Sequence, residues 1–156
     1  MLRKAVFLDR DGVINRAEVH EGKPYPPANL AVMELLPGVP AALQALHLAD
    51  WMLIVVTNQP DVARGTTPRI AVEAINTHLQ QILPIDEFRT CYHDSEDGCD
   101  CRKPSPGALL ASAREHNIDL CRSFMVGDRW RDVEAGQRAG CKTVFIDYGY
   151  DEKEPK

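Results

Sequence analysis

No apolar stretch in the 156 residues comes near the roughly 20 needed to cross a bilayer; the run Met52–Val56 is a fraction of that length. The N-terminus carries no apolar export region, so a cytoplasmic location is expected, with no membrane partner. Positive charge is scarce as well. Eighteen Lys and Arg stand against 23 Asp and Glu, a formal charge of -5, and an extended nucleic-acid backbone would meet net repulsion from cations that are not segregated. The five cysteines are an odd number for a disulfide framework, and without an export signal they read as thiols or metal ligands. Internal repeats and low-complexity tracts are also lacking, which leaves neither a solenoid nor a long disordered segment to consider.

What remains is the composition of a soluble globular chain, 44% apolar and 26% charged, of a length that fills one domain. Residues 1–150 are expected to form that single domain, a monomer, with residues 151–156 as a frayed tail. Ala5–Leu8 is an apolar run ending abruptly in Asp9-Arg10-Asp11-Gly12, as a buried strand delivering polar residues at its carboxyl end would. A Pro-rich irregular stretch follows. Helical spacing then covers Val39–Ala49, and Trp51–Val56 reads as a second buried strand ending in Thr57-Asn58-Gln59. Thr67-Pro68 and Ser105-Pro106 read as helix starts, a cap followed by proline, for one helix running on to Pro84 and another over Gly107–His116. Further strands are expected at Phe88–Tyr92, Ser123–Val126 and Lys142–Ile146, with a last helix over Trp130–Ala139. This alternation predicts a three-layer α/β fold with a parallel central sheet, whose ligands bind beyond the carboxyl ends of the strands.

Those ends carry Asp9 and Asp11, then Thr57 and Asn58, then Asp128 with Asp132 one turn later, while Arg102 and Lys103 precede the helix that starts after Ser105. Residues two apart at a strand end point the same way, so Asp9 and Asp11 are expected to present two carboxylates to one spot. Asp128 would supply a third oxygen to a magnesium ion relieving their repulsion. Phosphoryl transfer to water follows from these parts. Asp9 can attack phosphorus and carry an aspartyl-phosphate. Asp11 can serve as general acid and then base. Lys103 and the Thr57 hydroxyl can balance charge on the equatorial oxygens. For Asp132 an exposed helix-start acid and a supporting role behind the site are both open.

Cys91 and His93, with Cys99 and Cys101, give three thiolates and an imidazole in two paired clusters, the ligand set of a closed structural zinc site. The acidic loop between the pairs, and pair spacings shorter than those of zinc-stapled nucleic-acid modules, disfavour that alternative. Cys121 and Cys141 are left over as ordinary buried thiols.

From Asp9-Arg10-Asp11-Gly12-Val13-Ile14-Asn15 through Thr57-Asn58-Gln59 and Arg102-Lys103-Pro104 to Gly127-Asp128-Arg129, the whole chain resembles a haloacid dehalogenase (HAD) superfamily phosphatase. The cysteine loop resembles the zinc-containing branch that holds both the D-glycero-D-manno-heptose 1,7-bisphosphate 7-phosphatases and the histidinol-phosphatases. The resemblance implies a HAD-like hydrolase with Asp9 as nucleophile, Asp11 as acid/base and magnesium on Asp9, the Asp11 carbonyl and Asp128. It places Thr57 and Lys103 on the phosphoryl group, and Asn58, Arg102 and Arg129 at the substrate. Val13-Ile14-Asn15, Pro104-Ser105-Pro106-Gly107 and Ala63-Arg64-Gly65 are similar to the heptose enzymes, whereas the five-residue gap between His93 and Cys99 resembles the histidinol-phosphatases. The expected substrate is therefore a heptose bisphosphate on the way to surface polysaccharide, with histidinol phosphate as the alternative and a non-catalytic phosphosugar-binding protein as the third reading. About 45 residues separate Asp11 from Thr57, and as many separate Thr57 from Lys103, all taken up by the elements above. No cap domain fits, so segment 16–28 and the cysteine loop are the expected walls of the site.

Overall fold

The computed structural model describes every residue from Met1 to Lys156. Strand β1, Ala5–Leu8, is buried along its whole length. It is followed by β2 (Glu18–His20), β3 (Lys23–Tyr25), α1 (Val39–Leu48), β4 (Met52–Asn58), α2 (Arg69–Ile82), β5 (Glu87–Cys91), α3 (Gly107–His116), β6 (Phe124–Gly127), α4 (Trp130–Ala139) and β7 (Lys142–Phe145). Five strands make one parallel sheet in the order β5-β4-β1-β6-β7.

The pleat sorts the core into two layers. Ala5, Phe7, Met52, Ile54 and Val56 pack on one face against Ala108 and Leu109 of α3 and Ala139 of α4. Val6, Leu8, Leu53 and Val55 pack on the other against Leu43 of α1 and Ile75 and Leu79 of α2. Helices therefore cover both faces, the α/β three-layer fold that the strand-helix alternation predicts. The chain winds outward from β1 to β4 and β5, then returns to β6 and β7 on the other side of β1. Such a reversal opens a crevice beyond the carboxyl ends of the neighbouring strands. No cap intervenes, and no helix is long and apolar enough to cross a membrane.

Three expectations change. The stretch after β1 is not wholly irregular: β2 and β3 pair as an antiparallel hairpin, turning through Glu21 and Gly22 with φ of 52° and 77°. That is the left-handed geometry a tight hairpin turn requires, which Glu-Gly signals less clearly than Asn-Gly, and Pro24 further masks the strand. Helix α2 begins one residue late, at Arg69, while α3 covers Gly107–His116 as expected; in both, proline (Pro68, Pro106) holds the capping position, with no side-chain cap from Thr67 or Ser105. The tail is tied down rather than frayed: the Asp151 N–H donates to the Gly22 carbonyl at 2.7 Å and Gln137 Nε2 donates to the Lys156 carbonyl at 2.7 Å. Docking of polar groups onto a distant surface leaves no periodic signal in a six-residue tail.

Candidate active site

Beyond the carboxyl ends of β1, β4 and β6 lies a cleft of about 250 Å³. Its floor holds Asp9, Lys103, Asp128 and Asp132, all buried. Lys103 Nζ donates to Asp9 Oδ1 at 2.9 Å, to Asp132 Oδ1 at 2.6 Å and to the Val56 carbonyl at 2.7 Å, so all three of its protons are committed. Burial alone would lower this lysine's pKa, but the charges of Asp132 and then Asp9 outweigh it and hold the group above the ordinary lysine range. Two glycines let the carboxylates come close. A Cβ on Gly12, whose φ is 89°, would meet Asp128 Oδ2 at 2.0 Å, and one on Gly127 would meet Asp132 Cβ at 2.1 Å.

Carboxylate oxygens of Asp9, Asp128 and Asp132 lie within 4.8 Å of one another, and the Lys103 ammonium pairs with the first and the last of them. Burial, followed by the charge of Asp132, raises the Asp9 pKa to about 6. Burial and then the charge of Asp9 raise Asp128 to about 8. Three acids and one lysine leave an excess of negative charge in a dry place, and Asp128 Oδ1 is buried with no hydrogen-bond partner. An orphaned hard oxygen beside a second carboxylate is what a small divalent cation binds, so the residues fit one.

Asp11 departs from expectation. Its carboxylate lines the cleft but is absent from the close trio, because the chain turns at Arg10, whose carbonyl accepts from the N–H groups of Val13, Ile14 and Asn15. Past that turn the two-residue period of a strand no longer aligns Asp11 with Asp9. Arg10, fully buried, grips the carboxylate through Nε at 3.0 Å and Nη2 at 3.4 Å. Asn15 Nδ2 at 3.0 Å and Gln59 Nε2 at 2.9 Å complete its shell. Arg10 is anchored in turn by Asn76 Oδ1 at 2.9 Å. The third close carboxylate is Asp132, which binds Lys103 and, through Oδ2, accepts the Arg129 N–H at 3.0 Å.

Thr57 is buried beside the site, its hydroxyl accepting from Gln59 Nε2 at 3.0 Å. Asn58, expected at the substrate, commits both ends of its amide to the Lys103 backbone, each at 3.0 Å; it pegs the loop that carries the lysine. Arg102 and Arg129 line the cleft together with Lys23, Arg64 and Arg131. Arg102 Nη1 is buried without a partner, and Arg131 is held below the usual arginine range by burial and by the charges of Arg129 and Arg102. Arg10, Gln59, Lys23 and Arg131 escaped the sequence reading. Arg10 and Gln59 stand inside the short polar runs after β1 and β4, so their neighbours were a usable signal; Lys23 lies in segment 16–28, expected as a wall of the site, and Arg131 had no such signal.

The thiol cluster lies at the end of β5. Sγ atoms of Cys91 and Cys99, and of Cys99 and Cys101, are 3.7 Å apart, and His93 Nδ1 lies 3.5 Å from Cys91 and 3.3 Å from Cys101. A tetrahedral ion with sulfur at roughly 2.3 Å and nitrogen at roughly 2.0 Å demands edges of about 3.8 and about 3.5 Å. The four atoms already stand at those edges, so they fit a metal ion. The loop also reaches the cleft: Asp94 grips Arg64 of the cleft wall, with Nε to Oδ2 at 2.7 Å and Nη2 to Oδ1 at 2.9 Å. Of the two leftover cysteines Cys141 is buried, whereas Cys121 is exposed on a single 3-10 turn with no layer above it.

The family model of HAD-hydrolase-like proteins matches residues 100–155. The D-glycero-beta-D-manno-heptose-1,7-bisphosphate 7-phosphatase of Bordetella bronchiseptica is 36% identical over 151 residues, covering 94% of this chain and 82% of its own. The D-glycero-D-manno-heptose-1,7-bisphosphate 7-phosphatase of Thermosynechococcus vestitus is 32% identical, covering 98% and 83%. Among solved structures, D,D-heptose 1,7-bisphosphate phosphatase from B. bronchiseptica, complexed with magnesium and phosphate, superposes with a TM-score of 0.79 at 35% identity over 91% of this chain and 79% of that one.

Proposed function

This chain belongs to the HAD-like phosphatases, the family of those heptose bisphosphate phosphatases, and from that premise we propose that it hydrolyses the 7-phosphate of D-glycero-D-manno-heptose 1,7-bisphosphate. One observation carries the choice of substrate: a buried carboxylate gripped by a lysine at the floor of a cleft whose rim is cationic. With a divalent cation offsetting its carboxylates the floor would suit one phosphate, and Arg102, Arg131 and Lys23 on the rim suit a second anion at the far end of the same small molecule. A histidinol phosphate would bring a cationic amine against that rim, which the same charges disfavour.

In this reading Asp9 attacks phosphorus, the ester oxygen leaves with a proton from Asp11, and an aspartyl-phosphate forms on Asp9. Asp11 then takes a proton from water as that water attacks the same phosphorus, which frees Asp9 and releases phosphate. Its shell of Arg10, Asn15 and Gln59 holds Asp11 at the cleft wall for both steps. Lys103 keeps Asp9 oriented and balances charge on the phosphoryl oxygens, with the Thr57 hydroxyl beside it. Asp9 and Asp128 are the side chains that would hold magnesium, as the resemblance to the family implies together with the Asp11 carbonyl. When bound, the ion would neutralise the carboxylates and polarise a phosphoryl oxygen. Cys91, His93, Cys99 and Cys101 would hold zinc in closed coordination, a structural role that steadies the loop leading into Arg102 and Lys103.

The test is a side-by-side assay of phosphate release from heptose 1,7-bisphosphate, histidinol phosphate and a panel of other phosphosugars with magnesium present. The heptose bisphosphate is expected to give the highest kcat/KM. Preference for histidinol phosphate would reverse the assignment, and no turnover on any of them would favour a binding protein.

A further inference from the structure

Residues 148–153 form a strap over the edge of the cleft. Tyr148 Oη donates to the Gly12 carbonyl at 2.8 Å, and Tyr150 Oη donates to Asp128 Oδ2 at 2.6 Å. The two rings stack with centroids 5.6 Å apart. Further along, Glu152 accepts from Arg129 Nε at 2.6 Å, and Lys153 Nζ lies 3.7 Å from the centre of the Trp130 ring.

We propose that Tyr150 is a positioning residue for Asp128, its hydroxyl taking one carboxylate oxygen so that the other is presented to a divalent cation. The inference rests on the reading of Asp128 as a cation ligand given above. A carboxylate can rotate about its Cβ–Cγ bond and exchange its two oxygens, and every such rotation must be stopped when an ion binds. Here it is stopped beforehand. Oδ2 packs over the bare Cα of Gly12, where any side chain would collide with it, and takes a short charge-assisted bond from the phenol. Oδ1 is left buried and unpartnered, on a carboxylate that belongs to the close trio with Asp9 and Asp132. The phenol is itself fixed by its stack on Tyr148, whose hydroxyl is bound to the same Gly12 turn. Outer partners of this kind govern metal affinity by orienting the ligand, without touching the metal or the reacting atoms.

The test titrates Mn2+ into the full-length protein, follows the free ion by electron paramagnetic resonance at a temperature below every melting transition, and compares three variants. Tyr150→Phe, which loses only the hydroxyl, is expected to weaken Mn2+ binding by roughly tenfold or more and to raise the magnesium concentration for half-activation by a similar factor. Its kcat at saturating magnesium should stay within about twofold of wild type, a split that mere loosening of the fold would not produce. Lys153→Ala loosens the strap but keeps the hydroxyl, and is expected to bind Mn2+ as wild type does. Unaltered Mn2+ affinity in Tyr150→Phe, or equal weakening in Lys153→Ala, overturns the assignment. Asp128→Asn separates the two layers of the argument. If it loses Mn2+ while Tyr150→Phe does not, only the tyrosine's role fails; if Asp128→Asn itself binds normally, the cation-ligand reading falls as well.

Discussion

The thiol cluster takes its four ligand atoms from Cys91, His93, Cys99 and Cys101, all within eleven consecutive residues of one loop. The carboxylate cluster takes Asp9, Lys103 and Asp128 from three loops far apart in sequence, and Asp132 from the first turn of α4. Their surroundings differ to match. The carboxylates and their lysine are buried, with Asp9 and Asp128 just past the ends of β1 and β6, whereas two of the three thiols and the imidazole are partly or fully exposed. A site built by the sheet keeps its shape without an ion and bears the lack of one as unrelieved charge. A site built by a short loop has little besides the ion to hold it, so there the lack is felt as lost structure.

That contrast is sharpest at the nucleophile. Asp9→Asn is expected to cut phosphate release by roughly 10⁴-fold or more while the far-UV circular dichroism spectrum stays that of wild type, because the sheet and not the charge shapes the site. Phosphate release near the wild-type rate would break the reading of the carboxylate cluster as the reaction centre.

Cys99→Ser should do the reverse. Removing one ligand from the loop is expected to release bound zinc and lower the melting temperature by several degrees, roughly 2–4 °C for each kcal/mol lost, and activity should fall only as far as the loop's hold on Arg102 and Lys103 slackens. An unchanged melting curve with full zinc content would show that the loop does not depend on its ligands as the comparison supposes.

The smallest effect is read in the pH dependence of stability. Asp9 and Asp128 hold protons more tightly in the folded chain than in the unfolded one, with pKa values of about 6 and about 8 against an ordinary 3.8. Without a divalent cation their contribution is complete below the unfolded value and is lost as pH rises through about 6 and then about 8. The melting temperature of protein without magnesium should therefore decline by a few degrees over that window. Magnesium should restore it most at the alkaline end, where both groups are ionised. A melting temperature that rises with pH across the window in the absence of magnesium would contradict the crowding of the carboxylates.

Much of this was legible in the chain itself. Strands β1, β4, β5, β6 and β7 lie within a residue or two of the segments that mark them; the central β1 and β4, covered on both faces, are buried nearly throughout, while the edge strands β5 and β7 keep polar and partly exposed residues. The four members of the thiol cluster were readable because local spacing alone brings them together. Asp9, Lys103 and Asp128 were readable as polar residues after such runs or just before a helix. Asp11 lines the same cleft as Asp9 but stands outside the close trio, because the strand period does not continue past the turn at Arg10, whose buried guanidinium holds the carboxylate. Asn58, expected at the substrate, lines the cleft, and its side chain also serves the backbone 45 residues away, a contact that no local spacing signals. The hairpin at Glu18–Tyr25 was hidden by its proline and its Glu-Gly turn.

Local order of apolar and polar residues was enough to determine the alternation of strands and helices, the strand ends where chemistry would gather, and the ligands of the cysteine loop, because those depend on neighbours along the chain. Which acid joins Asp9 and Asp128, where the Asp11 carboxylate turns, and that a C-terminal tyrosine reaches Asp128 were decided only when the sheet closed in the order β5-β4-β1-β6-β7. Those contacts join residues as much as 123 positions apart, 9 to 132, and their geometry follows from packing, which sequence spacing does not encode.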